Sequence, residues 1–250
     1  MTLTWKITKS DIDKLQKFVE SNKDNAFVAK RIDTNATLDF HPTNVNAVVK
    51  AMLMCLLTSQ QRSGPESPVA KFLNQTPFPI NTDWIQNNRM NIGESLKEEL
   101  TKWNLTRYIN KISSFFEENI NYCLEQNWRV EKTINELKRQ NSRKKERIVA
   151  DKIEEELKGF GPKQSRNFLQ ALGATKFEIP IDSRIINWLN GFGFPMKLTS
   201  KSLADKHYYH FVNDGIIALC EEAKILPCVF DAVIFSSYDH GRWTKENMAF

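Results

Sequence analysis

The residues best suited to chemistry fall in two short pieces of the chain. Leu157-Lys158-Gly159-Phe160-Gly161-Pro162-Lys163 reads as a glycine hairpin between two helical stretches, and Asp182 follows the lysine by nineteen residues at the start of another helical run. Glycines carry no Cβ, so backbone amides at Gly159 and Gly161 can come close to a phosphate, and the helix that follows turns its positive end to the same place. Lys163 offers an amine nucleophile, and Asp182 a fixed negative charge for a developing oxocarbenium ion, the two parts needed to break a bond at a sugar carbon. A lysine in the first helical turn has its ammonium form disfavoured, while a capping carboxylate is kept ionised by backbone N–H groups and the helix dipole. Each residue also has a plain structural explanation. Lys163 fits a solvated helix start, Asp182 after Ile179-Pro180-Ile181 fits an N-cap, and the hairpin fits an ordinary glycine-capped turn.

Two other glycine motifs do not fit. A P-loop needs Gly-x-x-x-x-Gly-Lys-Ser/Thr after a strand, but Pro162 separates Gly161 from Lys163 and the preceding Ile148–Ile153 segment is helical in pattern. A dinucleotide fingerprint needs a third glycine where Gln164 stands. What remains is helix, tight turn, and a helix entered through Pro162, whose missing N–H costs nothing in a first turn.

Helices must therefore position the chemistry, and the fold class expected is mainly all-α. Apolar periodicity places helices from Ser10, over 44–57, 66–74, 93–102, 104–126, 129–141, 145–157, 163–172, 183–190, 202–223 and 228–238. Only residues 26–40 alternate enough to suggest a short N-terminal β-hairpin. The 250 residues read as one unit, with a net charge of +5 and a pI near 8.9 that suit a polyanionic partner without demanding one. Much of the excess sits in residues 129–147, a run that reads first as a solvated helix face. The N-terminus lacks a signal-peptide core and no apolar run approaches a membrane span, so a cytoplasmic protein with no membrane partner is expected, nucleoid-associated in a prokaryote. Cys55, Cys123, Cys220 and Cys228 are scattered, which argues against disulfides, zinc and an iron–sulfur cluster. His207 and His210 share a helix face but lack further ligands at a metal-binding spacing.

The hairpin with Ser165 and the downstream Ile179-Pro180-Ile181-Asp182 resembles the signature of the helix-hairpin-helix DNA glycosylases. The resemblance covers about residues 44–190, with Leu56-Leu57-Thr58-Ser59-Gln60 similar to a helix end carrying a glutamine and Leu105–Ile112 similar to a middle helix entry. It implies a two-lobed helical fold with a DNA-binding cleft, residues 1–43 and 191–250 completing the second lobe. It implies a monomer acting on double-stranded DNA that contains a damaged base, without a required cofactor. Lysine at 163 points to the branch that combines base removal with abasic-site lyase activity, and the spacing to Asp182 is closest to the 8-oxoguanine glycosylases. Glycosylases for alkylated bases or oxidised pyrimidines, and a non-catalytic DNA-binding protein, are the alternatives. Gly159, Gly161, Lys158, Gln164, Arg184 and Gln60 are the expected DNA contacts, with Gln60 or Gln61 filling the gap left by a flipped base and Phe230, Phe235 and Trp243 as stacking candidates. Carbonyls of Glu155, Leu157 and Phe160 are implied to hold Na+ or K+ at the hairpin. The chain departs from the pattern at Lys158, where proline is common, at Ser165 in place of alanine, and at Ser183-Arg184, where a histidine often follows.

Overall fold

Side-chain oxygens start many of the helices. Thr8, Asn25, Asn44, Ser67, Asn81, Asp182 and Asp205 each accept a backbone N–H from the first turn that follows, satisfying donors that a helix leaves without partners. The computed structural model describes residues 5–37, 40–59, 61, 64–140, 142–238, 243, 244 and 248. In chain order the helices are α1 Lys9–Glu20, α2 Ala26–Arg31, α3 Val45–Leu57, α4 Pro68–Leu73, α5 Thr82–Asn87, α6 Ile92–Lys102 and α7 Ile109–Glu125. They continue as α8 Arg129–Gln140, α9 Arg143–Glu156, α10 Pro162–Ala171, α11 Ser183–Phe192, α12 Lys206–Ala223 and α13 Pro227–Ser237. No strand occurs among the described residues.

The expected β-hairpin over 26–40 is instead α2 followed by a π-helical turn, Ile32–Ala36. Asn25 caps the amide of Phe27, and the buried Phe27, Val28 and Asn35 fall on one side at helical spacing. Packing against α13 overrides the weak alternation; residues 38 and 39 lie outside the described residues. The helix expected over 104–126 begins only at Ile109, because Asn104 and Tyr108 adopt left-handed backbone at φ 56°. The one expected over 202–223 is divided by Asp205 into a 3-10 turn, Ser200–Ala204, and α12.

The apolar residues form two main clusters. One surrounds α3, which is buried on nearly every side from Val48 to Leu57, and takes in α6, α7, α9 and α10. The other joins α1 to Ile179, Ile181 and helices α11 to α13. A smaller third cluster sets Phe27 and Val28 of α2 against Ala232 and Val233 of α13.

An ionic network links the hairpin helices to α12. The Arg166 guanidinium of α10 is fully buried and donates to Asp151 at 2.6 Å, Glu178 at 3.1 Å and Glu154 at 3.4 Å. Glu178, also fully buried, accepts from Arg147 at 2.7 Å and from Asn213 at 3.0 Å. Asp214 takes both Arg143 and Arg147, so part of the basic run 129–147 is engaged in ion pairs with α12 instead of simply facing water. Removing one member of a buried pair strands the other. Arg166→Leu is expected to cost about 3 kcal/mol or more, read as a lower urea midpoint at unchanged slope; an unchanged midpoint would show that Arg147 and Asn213 suffice for Glu178.

Candidate active site

The hairpin is held from behind. Asn119 of α7, 1% exposed, accepts the Lys158 amide on Oδ1 at 2.7 Å and donates from Nδ2 to the Lys158 carbonyl at 3.0 Å. Gly159 follows at φ +80°, where an added Cβ would meet Phe115 Cδ2 at 2.5 Å and Leu56 Cδ2 at 2.8 Å. Glycine is required there by both backbone and space. Gly161 differs, with φ −98° and nothing within 4 Å of an added Cβ. Among the described residues, the amides of Gly159, Gly161, Lys163 and Gln164 donate no hydrogen bond within the chain. They stand at the N-terminal end of the ten-residue α10, which lacks a side-chain cap, an arrangement that favours an anion. The carbonyl of Lys158 is taken by Asn119, whereas those of Glu155 and Phe160 accept no backbone bond among the described residues, so two of the three oxygens suggested for a monovalent cation are free for one.

Lys163 and Asp182 line one cleft, together with Thr58, Gln61, Arg31, Asn167, Gln170, Arg184, Asp231 and Phe235. Five hydrogen bonds place the carboxylate by fixing the segment before α11. Glu146 accepts the amides of Lys176, Phe177 and Glu178 at 2.9, 2.8 and 3.0 Å. The Tyr209 hydroxyl donates to the Ile179 carbonyl at 2.8 Å and accepts the Ile181 amide at 2.6 Å. Asp182 then caps α11, its Oδ1 accepting the Arg184 and Ile185 amides at 2.8 and 3.3 Å. Its Oδ2 accepts Arg184 Nε at 2.9 Å and Nη2 at 2.6 Å. Burial pushes the Asp182 pKa up, but the Arg184 guanidinium, the charge of Lys163 and the Arg184 amide together bring it below the ordinary carboxylate range. The side chain is thus an anion at neutral pH, within the field of the lysine.

Two solved structures superpose over nearly the whole chain. The 8-oxoguanine glycosylase/lyase of Methanocaldococcus jannaschii, solved with a 15mer DNA containing 8-oxoguanine, matches with a TM-score of 0.62 at 17% identity, covering 91% of this chain and 98% of that one. The 8-oxoguanine DNA glycosylase of Thermotoga maritima matches with a TM-score of 0.60 at 16% identity, covering 90% of this chain and 96% of that one. The fold is that of the 8-oxoguanine DNA glycosylases. No family model and no curated protein matches the sequence.

Within this glycosylase fold the sequence-derived site residues separate into groups. Lys163, Asp182 and Arg184 meet in the cleft, while Lys158, Gly159 and Gly161 form the hairpin beside it. Arg184 is engaged with Asp182 and lies over the Phe235 ring at 4.1 Å. The Gln164 side chain is 6% exposed and bonds Asn167, so its backbone amide is what it presents outward. Gln60 lies outside the described residues, but Gln61 lines the cleft. Phe230 is a core residue packed edge-on against Trp188, whereas Phe235 lines the cleft and contacts Trp243 and Phe27. Asn119, Arg31, Gln170 and Asp231 escaped sequence reasoning. A polar residue inside an apolar helical stretch, as at 119, 170 and 231, is the signal that marks three of them.

The unlike glycines predict unlike variants. Gly159→Ala should lose about 1–3 kcal/mol of stability through backbone strain and the Phe115 contact, measured by thermal or urea unfolding. Gly161→Val should melt with the parent and, if the unpaired hairpin amides take a phosphate, weaken binding to any duplex, damaged or intact, by crowding them. A folded Gly161→Val protein that binds duplex as the parent does would make the hairpin an ordinary turn.

Proposed function

We propose that this protein is a base-excision DNA glycosylase with abasic-site lyase activity, acting on an oxidised base, with 8-oxoguanine the best candidate. The observation that carries the reading is one cleft shared by Lys163 and Asp182, beside a hairpin whose glycine amides are free for phosphate. The fold shared with two 8-oxoguanine glycosylases supports it. The hairpin and α10 N-terminus grip the backbone of double-stranded DNA, and the damaged nucleotide leaves the stack at a cost of about a few kcal/mol. The Lys163 amine bonds to sugar C1′ as the glycosidic bond breaks and its electron pair departs with the base. Asp182 offsets the positive charge that develops at the sugar. Ring opening then yields a Schiff base on Lys163, and loss of the C2′ proton expels the 3′ phosphate by β-elimination. The carbonyls of Glu155, Leu157 and Phe160 would hold Na+ or K+, whose positive charge would strengthen the grip on phosphate without entering the chemistry.

Arg184 has a place in this sequence. Its guanidinium compensates the Asp182 charge, and a DNA phosphate that draws Arg184 away would leave that charge to the sugar cation. Phe235, over which Arg184 lies, would then be open to stack against the base.

Borohydride reduction tests the proposal, because it fixes a Schiff base as a covalent protein–DNA adduct. The parent should be trapped on duplex containing 8-oxoguanine and Lys163→Gln should not; undiminished trapping by that variant would remove Lys163 as the nucleophile. Asp182→Asn keeps a capping oxygen but loses the charge, so turnover should fall far more than duplex affinity, by about a hundredfold or more. Equal losses would mark Asp182 as a helix cap alone. Since Arg184 helps hold the Asp182 pKa down in the free protein, Arg184→Met should raise it and move the acid limb of the kcat/KM profile, which reports the free enzyme, to higher pH. An acid limb that stays in place would mean that Asp182 does not set it.

A further inference from the structure

Further along the cleft from Lys163 are polar groups that the chemistry at the sugar does not use. Lys163, Asn167, Gln170 and Ala171 recur at helical spacing on the face of α10 that lines the cleft. Seven residues of helix place Gln170 about 10 Å along the axis from Lys163, in the same cleft. Gln170 is 1% exposed, and its Nε2 meets no partner in hydrogen-bond geometry among the described residues, although it lies close enough to the Asp231 carboxylate to hold its pKa down. An unsatisfied buried donor costs about 1–3 kcal/mol, and an exception of this kind calls for a group that completes it. The backbone is held in place, because the Gln170 carbonyl accepts from Asn35 Nδ2 at 2.9 Å and from Arg31 Nη1 at 3.3 Å.

Asp231 of α13 lines the same cleft near the Gln170 amide, 6% exposed, and forms no ion pair among the described residues. Burial pushes its pKa up to about 6 against the pull of Arg31, with Asp182 adding to the rise and Arg184 and the Gln170 amide opposing it. A donor and an acceptor are thus available together in a largely desolvated space. On the major-groove edge of guanine, N7 and O6 are both acceptors, and N7 would set its lone pair against the Asp231 carboxylate. Oxidation at C8 places a proton on N7 and a carbonyl beside it. Alkylation at N7 fills the position with carbon and leaves no N–H to donate.

Resting on the glycosylase reading above, we infer that Gln170 and Asp231 form the subsite that reads the flipped base. Gln170 Nε2 donates to the carbonyl of an oxidised purine and the Asp231 carboxylate accepts the adjacent ring N–H. The pair selects C8-oxidised purines over intact guanine and over guanine alkylated at N7.

Three single-turnover rates test it in the parent, Gln170→Met and Asp231→Asn: release of 8-oxoguanine, release of N7-methylguanine, and cleavage at a preformed abasic site, which has no base to read. In each variant the ratio of 8-oxoguanine release to abasic-site cleavage should fall about tenfold or more, the loss expected for a hydrogen bond in a desolvated site. The parent should prefer 8-oxoguanine to N7-methylguanine. Gln170→Met removes the unpartnered donor at similar volume and carries the test if Asp231→Asn does not fold. An unchanged ratio overturns the subsite, whether both activities fall together or neither falls, and so does a parent that prefers the alkylated base. A parent that neither releases a base nor cleaves an abasic site overturns the glycosylase reading itself, and the subsite with it.

Discussion

The geometry of the cleft depends on one buried cation. Arg166 has no solvent exposure, so its charge is tolerable only while Asp151, Glu154 and Glu178 surround it. It sits on α10, three residues beyond Lys163, and its partner Glu178 sits four residues before Asp182. The same guanidinium therefore ties the helix that carries the amine to the segment that delivers the carboxylate. Glu146 and Tyr209 complete the placement by bonding the backbone of residues 176–181. Burial pushes Glu146 up to about 7, against the pull of the three amides it accepts, which shows how much of this polar framework lies away from water.

Charge in the cleft is arranged around Asp182. Asp182 is surrounded by donors, two backbone amides on one oxygen and the Arg184 guanidinium on the other. Such a carboxylate stays ionised, and its charge is partly answered by Arg184. In the proposed function a DNA phosphate competes for that guanidinium, which would couple seating of the backbone to exposure of the Asp182 charge. The hairpin shows the complementary device on the anion-binding side. Asn119 consumes the Lys158 amide and carbonyl, leaving the glycine and α10 amides as the donors turned to solvent.

Position in the helix decided which expectations translated well into three dimensions. Amphipathic stretches such as α9, α10 and α11 could be placed from apolar spacing, since one face must be buried whatever the partner. Short or weakly periodic pieces could not. Residues 26–36 took helical and π-helical form because Phe27 and Val28 found α13, a contact more than two hundred residues away in the chain. Ile109 starts α7 late because two residues before it adopt left-handed backbone, a choice made by local packing and not by composition. Gly159 and Gly161 look alike as letters, yet Phe115 and Leu56 make only the first obligatory.

The sequence by itself determined the helical class, the turn at 157–163, the cap at Asp182, and the pairing of an amine with a carboxylate across nineteen residues. These are local properties, set by side-chain type and by spacing within a few helical turns. Tertiary structure alone decided that Lys163 and Asp182 share a cleft, that Arg184 occupies the carboxylate, and that Gln170 and Asp231 line the same space. It also decided that part of the basic run serves ion pairs with α12, and that Phe230 belongs to the core while Phe235 belongs to the site. Those outcomes depend on which helix faces meet, and the free energy of that choice is spread over contacts between residues far apart in sequence, where no local pattern records it.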